Sequence, residues 1–337
     1  MTAVSVWFVL GLFLDAFAHS TVPELETFFT PWHAVFYSGF AATGGWVLWT
    51  VWRNVGPDRQ GLAAVPVGYG MTMVALPVFA LSGAIDMLWH TVLGIETGTD
   101  IFFSPSHLGL VASMVIIVTS PLRSAWSDPG LGSRPSLRAL LPAVVTLSFA
   151  GSLILLFLSY GNALFFGPNA IVEIFSTSGG EDADLLAGRI VVTTIVLLAP
   201  LLLLLARRWH LPFGAATIGY SAAAAISATL TGLEVLDIPL TIVVAGVGVD
   251  LLARRLRPTA ERRTAFWVFA ATAPLLTWSL YLGVASAVVG RLPAVTELWT
   301  GIPIVTALVG WSLAALMLPN AVAVTSTAPE WPGVRAG

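Results

Sequence analysis

Asp15 and His19 stand four residues apart, and a third histidine, His33, follows in the segment Glu26-Thr27-Phe28-Phe29-Thr30-Pro31-Trp32-His33. The pattern then recurs. Asp86 and His90 are again four apart, and Asp100-Ile101-Phe102-Phe103-Ser104-Pro105-Ser106-His107 supplies the third histidine. Four of the five histidines in the chain lie in these two copies. An aspartate and a histidine at i and i+4 share one helix face, so both can point at one ion. Thr30 and Ser104 suit helix N-caps, and Pro31 and Pro105 suit the first helical position. His33 and His107 then fall in the first turn of a returning helix. One carboxylate and two imidazoles converge in each copy, which is a metal-ligand set open to exchange or catalysis. Such a set fits zinc, copper(II) or non-haem iron(II), and spacing does not choose among them. Glu26 and Asp100 recur seven residues before the last histidine of each copy. They suit acceptors for the histidine N–H groups or charges that complement a helix start.

The surroundings make these groups conspicuous. Of 337 residues, 57% are hydrophobic and 10% charged, with a mean hydropathy of +0.88; soluble domains average about 25% charged residues. The chain is read as an all-α polytopic membrane protein embedded in a lipid bilayer. The absence of cysteine excludes disulfides, thiolate ligation and iron–sulfur clusters. All fifteen basic residues are arginine. Nothing in the sequence suggests nucleic-acid binding.

About ten spans are expected, at roughly 3–20, 31–53, 66–93, 105–125, 137–160, 185–207, 212–231, 237–254, 264–289 and 298–319. Residues 1–128 form a metal-binding four-helix unit of two parallel helical hairpins, about 3–53 and 66–125. Residues 129–319 supply C-terminal membrane helices of unassigned role, and 320–337 is expected to be a disordered tail. The first segment lacks a basic n-region and carries half of the repeat, so it is expected to be a helix of the mature protein rather than a signal peptide. Arginines cluster after the second, fourth, sixth and eighth helices, and acids dominate the opposite connections. The positive-inside rule then puts both termini in the cytoplasm and both metal motifs near the outer face of the inner membrane.

The first motif, running on through His33-Ala34-Val35-Phe36-Tyr37, resembles the metal-binding segment of the C subunit of particulate methane and ammonia monooxygenases. That family has an Asp-x3-His pair with a later histidine and an apolar Val-Phe-Tyr run. It also has an Asn-x3-His pair followed by a histidine after a proline, which Asp86–His90 and Pro105–His107 resemble, as does the intervening acid Glu96. The resemblance covers about residues 10–125. It implies copper at Asp15, His19 and His33 and again at Asp86, His90 and His107. It also implies O2-dependent oxidation of a small apolar substrate such as a short alkane or ammonia, with partner subunits of the monooxygenase type or further copies of the chain. Position 86 is aspartate where the family has asparagine, and the spacing between ligands is a residue or more longer. No catalytic residue beyond the ligands is assigned. Two other functions fit the same residues: copper or zinc binding and delivery without turnover, and cation or proton transport. Transport would call for ionisable groups continuing across the bilayer, and the cytoplasmic halves of the first four helices hold none.

Overall fold

The computed structural model describes residues 1–22, 29–94, 100–207 and 209–318. Helix dominates, and no strand occurs among the described residues. In chain order the helices are α1 (Thr2–Thr21), α2 (Pro31–Asn54), α3 (Gly70–Val92), α4 (Pro105–Val118), α5 (Ser120–Ser127), α6 (Leu137–Phe157), α7 (Pro168–Ile174), α8 (Glu181–Arg207), α9 (Ala215–Leu230), α10 (Asp237–Leu256), α11 (Arg263–Val289) and α12 (Thr296–Met317). Each of the ten expected segments overlaps a helix.

Among the described residues, seven segments are long and apolar enough to cross a membrane: α1, α3, the continuous stretch Pro105–Ser127, α6, α8, α11 and α12. α9 has 16 residues. α2 interleaves glycine, serine, threonine and tryptophan with its apolar residues. α10 carries Asp237, Asp250, Arg254 and Arg255. The short α7 was not anticipated; seven residues are too few to register as a periodic pattern. α3 begins four residues later than expected. Gly68 adopts φ +91°, and the turn packs so closely that a Cβ there would stand 2.5 Å from the Ser124 amide nitrogen. α4 gives way to α5 because Pro121 has no N–H to donate to the carbonyl of Ile117; the Ser120 hydroxyl donates to that carbonyl instead, at 2.7 Å.

Helices adjacent in sequence pack as pairs, α1 on α2 and α3 on α4. In the first pair small residues permit near contact. A Cβ at Gly39 would stand 2.6 Å from Phe8 Cα, and one at Gly11 2.9 Å from Phe36 Cα. Alanine at either position would force the helices apart, and with them Asp15 and His33. In the second pair Arg123 acts as a clamp. Its guanidinium donates to the Gly68 and Ile116 carbonyls and to the Thr72 and Thr119 hydroxyls, at 2.7–3.0 Å.

The second half supplies the frame. One continuous apolar core runs from Phe8 and Phe36 in the first hairpin to Phe269 and Ala314 in the last. α1 packs on α6 and α9, and α4 packs on α6. The acid inside α10 has a structural role. Gly214 precedes α9 and has no capping side chain, so the buried Asp250 carboxylate accepts from the amides of Ala216 and Thr217 and from the Thr217 hydroxyl, at 3.0, 2.9 and 2.6 Å. That caps α9 from a neighbouring helix.

Candidate metal centre

The two sequence motifs fold into two compact triads. Asp15 comes from the last turns of α1 with His19 one turn on, and His33 comes from the first turn of α2. Asp86 and His90 sit likewise near the end of α3, and His107 at the start of α4. In each triad one ligand atom from each of the three residues lies within 4.8 Å of the other two.

The caps do more than start helices. The Thr30 hydroxyl accepts from the His33 amide at 3.1 Å and also lies 3.1 Å from His33 Nδ1. The Ser104 hydroxyl accepts from the His107 amide at 3.4 Å and lies 2.7 Å from His107 Nδ1. One hydroxyl thus fixes both the backbone and the imidazole of the third ligand. With Nδ1 held, His33 turns Nε2 towards Asp15 Oδ2, 3.5 Å away. His19 Nε2 approaches the same oxygen at 3.9 Å. In the second triad Asp86 Oδ2 lies 3.5 Å from His90 Nε2, and Asp86 Oδ1 3.5 Å from His107 Nδ1. The two histidine rings meet edge to face in both triads, with centroids 5.6 Å apart in the first and 5.9 Å in the second. Contacts of 3.5–3.9 Å leave room for an ion among the ligand atoms.

The electrostatics favour a cation. Asp15 and Asp86 are both buried, and neither lysine nor arginine lines the cavity around them. Asp15 Oδ1 has no hydrogen-bond partner among the described residues. A buried carboxylate without compensation is costly, and a bound cation is one way to offset that cost. Other buried polar groups find protein partners in many cases, although the Ser5 and Ser286 hydroxyls have none among the described residues. Asn162 donates to Ser227, Trp278 to Thr194, and Tyr281 to the Ala163 carbonyl. The residues present therefore suit a metal of the nitrogen/oxygen-ligated kind. The two triads differ in access: the His19 side chain is 29% exposed and its counterpart His90 7%.

Both triads line one cavity of about 490 Å3. Its remaining walls are largely apolar, with Leu12 and Phe36 from the first hairpin and Val111 and Met114 from the second. The second half closes it with Leu156 and Phe157 at the end of α6 and Leu230 at the end of α9. Tyr37 joins the two halves of the centre. Its ring lies 6.3 Å from that of His33, and a Cβ at Gly83 on α3 would stand 3.0 Å from its hydroxyl. Sequence reasoning assigned none of these wall residues. Tyr37, one turn beyond His33 on the same helix face, is the one that spacing could have singled out.

Glu26 and Glu96 lie outside the described residues. The backbone of Asp100 opens a short 3-10 turn, Asp100–Phe102, while its side chain is outside the described set.

If the cap hydroxyl orients the imidazole, Ser104→Ala should weaken metal binding at the second triad about tenfold or more, the usual scale for groups that orient metal ligands. Ser104→Thr should restore it, and the first triad should be unaffected. Metal titration of each variant checks this.

No protein-family model matches the chain, and neither the curated proteins nor the solved structures contain a match.

Proposed function

We propose that the protein is a membrane metalloenzyme that binds two metal ions and oxidises a small apolar molecule with O2. Asp15, His19 and His33 hold one ion, and Asp86, His90 and His107 the other. Copper is the metal that the resemblance to the methane and ammonia monooxygenase C subunit favours, with zinc and non-haem iron compatible with the same ligands. Copper, when bound, would relay electrons from an external reductant to O2, as such an oxidation needs.

One observation carries this reading: two three-ligand sets face a single cavity whose other walls are largely apolar. A site that only stored metal would not need an apolar chamber beside it. The volume falls within the roughly 300–1,000 Å3 of small-molecule sites. Leu12, Phe36, Val111 and Phe157 exclude water and favour an uncharged substrate. The Thr30 and Ser104 hydroxyls hold the imidazoles in place.

In this reading all ten long helical segments span the inner membrane. α2, α9 and α10 do so against the partners they pack on. The two N-terminal hairpins are parallel repeats, both termini are cytoplasmic, and the triads lie near the outer face. Monooxygenase-type subunits or further copies of the chain complete the assembly. A second reading, metal binding and delivery without turnover, draws support from the exposed edge of His19, which would let an ion exchange with a partner.

The test supplies copper, a reductant and a short alkane or ammonia, under air, to membranes containing the chain, with and without co-expressed genomic neighbours. Copper-dependent product is the expected outcome. Full copper loading without product under every partner combination would favour delivery. Failure to take up any metal would overturn both.

A further inference from the structure

The opposite ends of α6 and α9 meet a second cavity, of about 590 Å3, that the metal reading does not use. α6 begins just after Pro135 of this cavity and ends at Phe157 beside the triads, and α9 begins just after Pro212 and ends at Leu230. The 21 residues of α6 set the two sites about 30 Å apart.

Arg134, Arg254, Arg257 and Arg262 line this cavity, with His210 and a single acid, Glu261. Arg134 comes from the α5–α6 connection, His210 from the α8–α9 connection, Arg254 from the last turn of α10, and Arg257, Glu261 and Arg262 from the α10–α11 connection. None of the four arginines forms a salt bridge among the described residues. Burial and, after it, the nearby Arg134 guanidinium hold the His210 imidazole below its ordinary pKa, with Glu261 acting against them. Four guanidinium groups thus face one carboxylate.

The backbone is shaped to bring them together. Arg257 ends α10 in the left-handed region, at φ 49°. Glycine is the usual residue there, because a side chain is strained in that conformation. The turn reverses the chain so that Arg254 and Arg262 face the same space, and Arg262 donates to the Arg257 carbonyl at 3.3 Å. All four arginines are exposed at the mouth of the cavity; an arginine in a glycine position, beside three others that make no salt bridge among the described residues, points to an anion as the group that this cluster binds.

The surface beside it suggests where the anion comes from. Leu240, Val244, Val247 and Leu251 are all exposed and form one stripe along α10 at helical spacing. The stripe runs up to Arg254 and Arg255. A second recess beside the cavity is lined by Leu251 together with Arg254, Arg255, Arg257 and Arg262. An apolar track ending in guanidinium groups fits an acyl chain below a phosphate.

We infer that this arginine cavity binds a phosphate-bearing anion, with the phosphodiester headgroup of an anionic phospholipid as the source that the α10 stripe favours.

The experiment titrates the purified full chain, in a neutral detergent, with phosphatidylglycerol, phosphatidylcholine and inorganic phosphate. Native mass spectrometry and the thermal unfolding midpoint are the readouts. Phosphatidylglycerol should be retained and raise the midpoint, and phosphatidylcholine should not. Arg134→Gln/Arg254→Gln should weaken binding about tenfold or more. Arg53→Gln/Arg59→Gln, which removes two arginines outside the cavity, should leave it unchanged. Binding of inorganic phosphate that displaces the lipid and is lost in the same cavity variant would also support the site, with free phosphate as the source. Equal weakening by both double variants would reduce the effect to general surface charge and overturn the proposal. Should the cavity variant fail to fold, the wild type decides alone: equal retention of the two lipids with no response to phosphate overturns it.

Discussion

His19→Ala/His90→Ala should leave the purified protein with no tightly bound metal, while each single substitution should remove about one of two equivalents. Each histidine offers one ligand atom to its own triad, within 4.8 Å of its two companions. Structural zinc sites gain roughly 10–16 kcal/mol from about four ligands. One lost ligand therefore costs on the order of 3 kcal/mol, or about two orders of magnitude in affinity. The loss should be confined to one triad, because each histidine pairs with its own aspartate: His19 with Asp15, and His90 with Asp86. Metal analysis after dialysis against a weak chelator reads the result. If either single substitution empties the protein, the six residues form one interdependent dinuclear centre instead of two sites.

Val111→Trp should lower kcat/KM for oxidation of a small apolar substrate by about 100-fold while leaving two metal equivalents in place. Val111 lies four residues after His107 on α4, so it shares the face that lines the cavity. Its side chain is partly buried and contributes no ligand atom. A tryptophan there fills the chamber between the triads and the ends of α6 and α9. Displacing a bound substrate by about 1 Å is enough for a loss of that size. Steady-state kinetics beside metal analysis of the same preparation separates the two effects. Unchanged kinetics with intact metal would mean that the substrate does not occupy this cavity.

Much of the centre was legible because its determinants are local. An i, i+4 pair needs only a helix to converge, and a Thr-Pro or Ser-Pro start fixes the first turn of the next. The predicted N-caps Thr30 and Ser104 accept from the His33 and His107 amides as expected. Their second contact, to the imidazole Nδ1 atoms, depends on rotamers that spacing does not specify. The shared cavity was not legible, because it is made by distant parts of the chain. Leu156, Phe157 and Leu230 carry no chemical mark, and they reach the triads only through the packing of α1 on α6 and α9. The arginine cavity escaped for a similar reason. Each of its arginines is an ordinary loop or helix-end arginine in sequence, and it takes the left-handed turn at Arg257 and the packing of distant connections to gather them. α7 and the break at Pro121 arise from short-range backbone detail that hydropathy does not resolve.

The most direct test of the central claim is metal analysis of the wild-type protein loaded with copper, combined with electron paramagnetic resonance. The account predicts two copper equivalents per chain, with imidazole nitrogen couplings from both triads, those of the first lost in His19→Ala and those of the second in His90→Ala. Copper bound without nitrogen couplings, or a metal content unchanged in both variants, would contradict it.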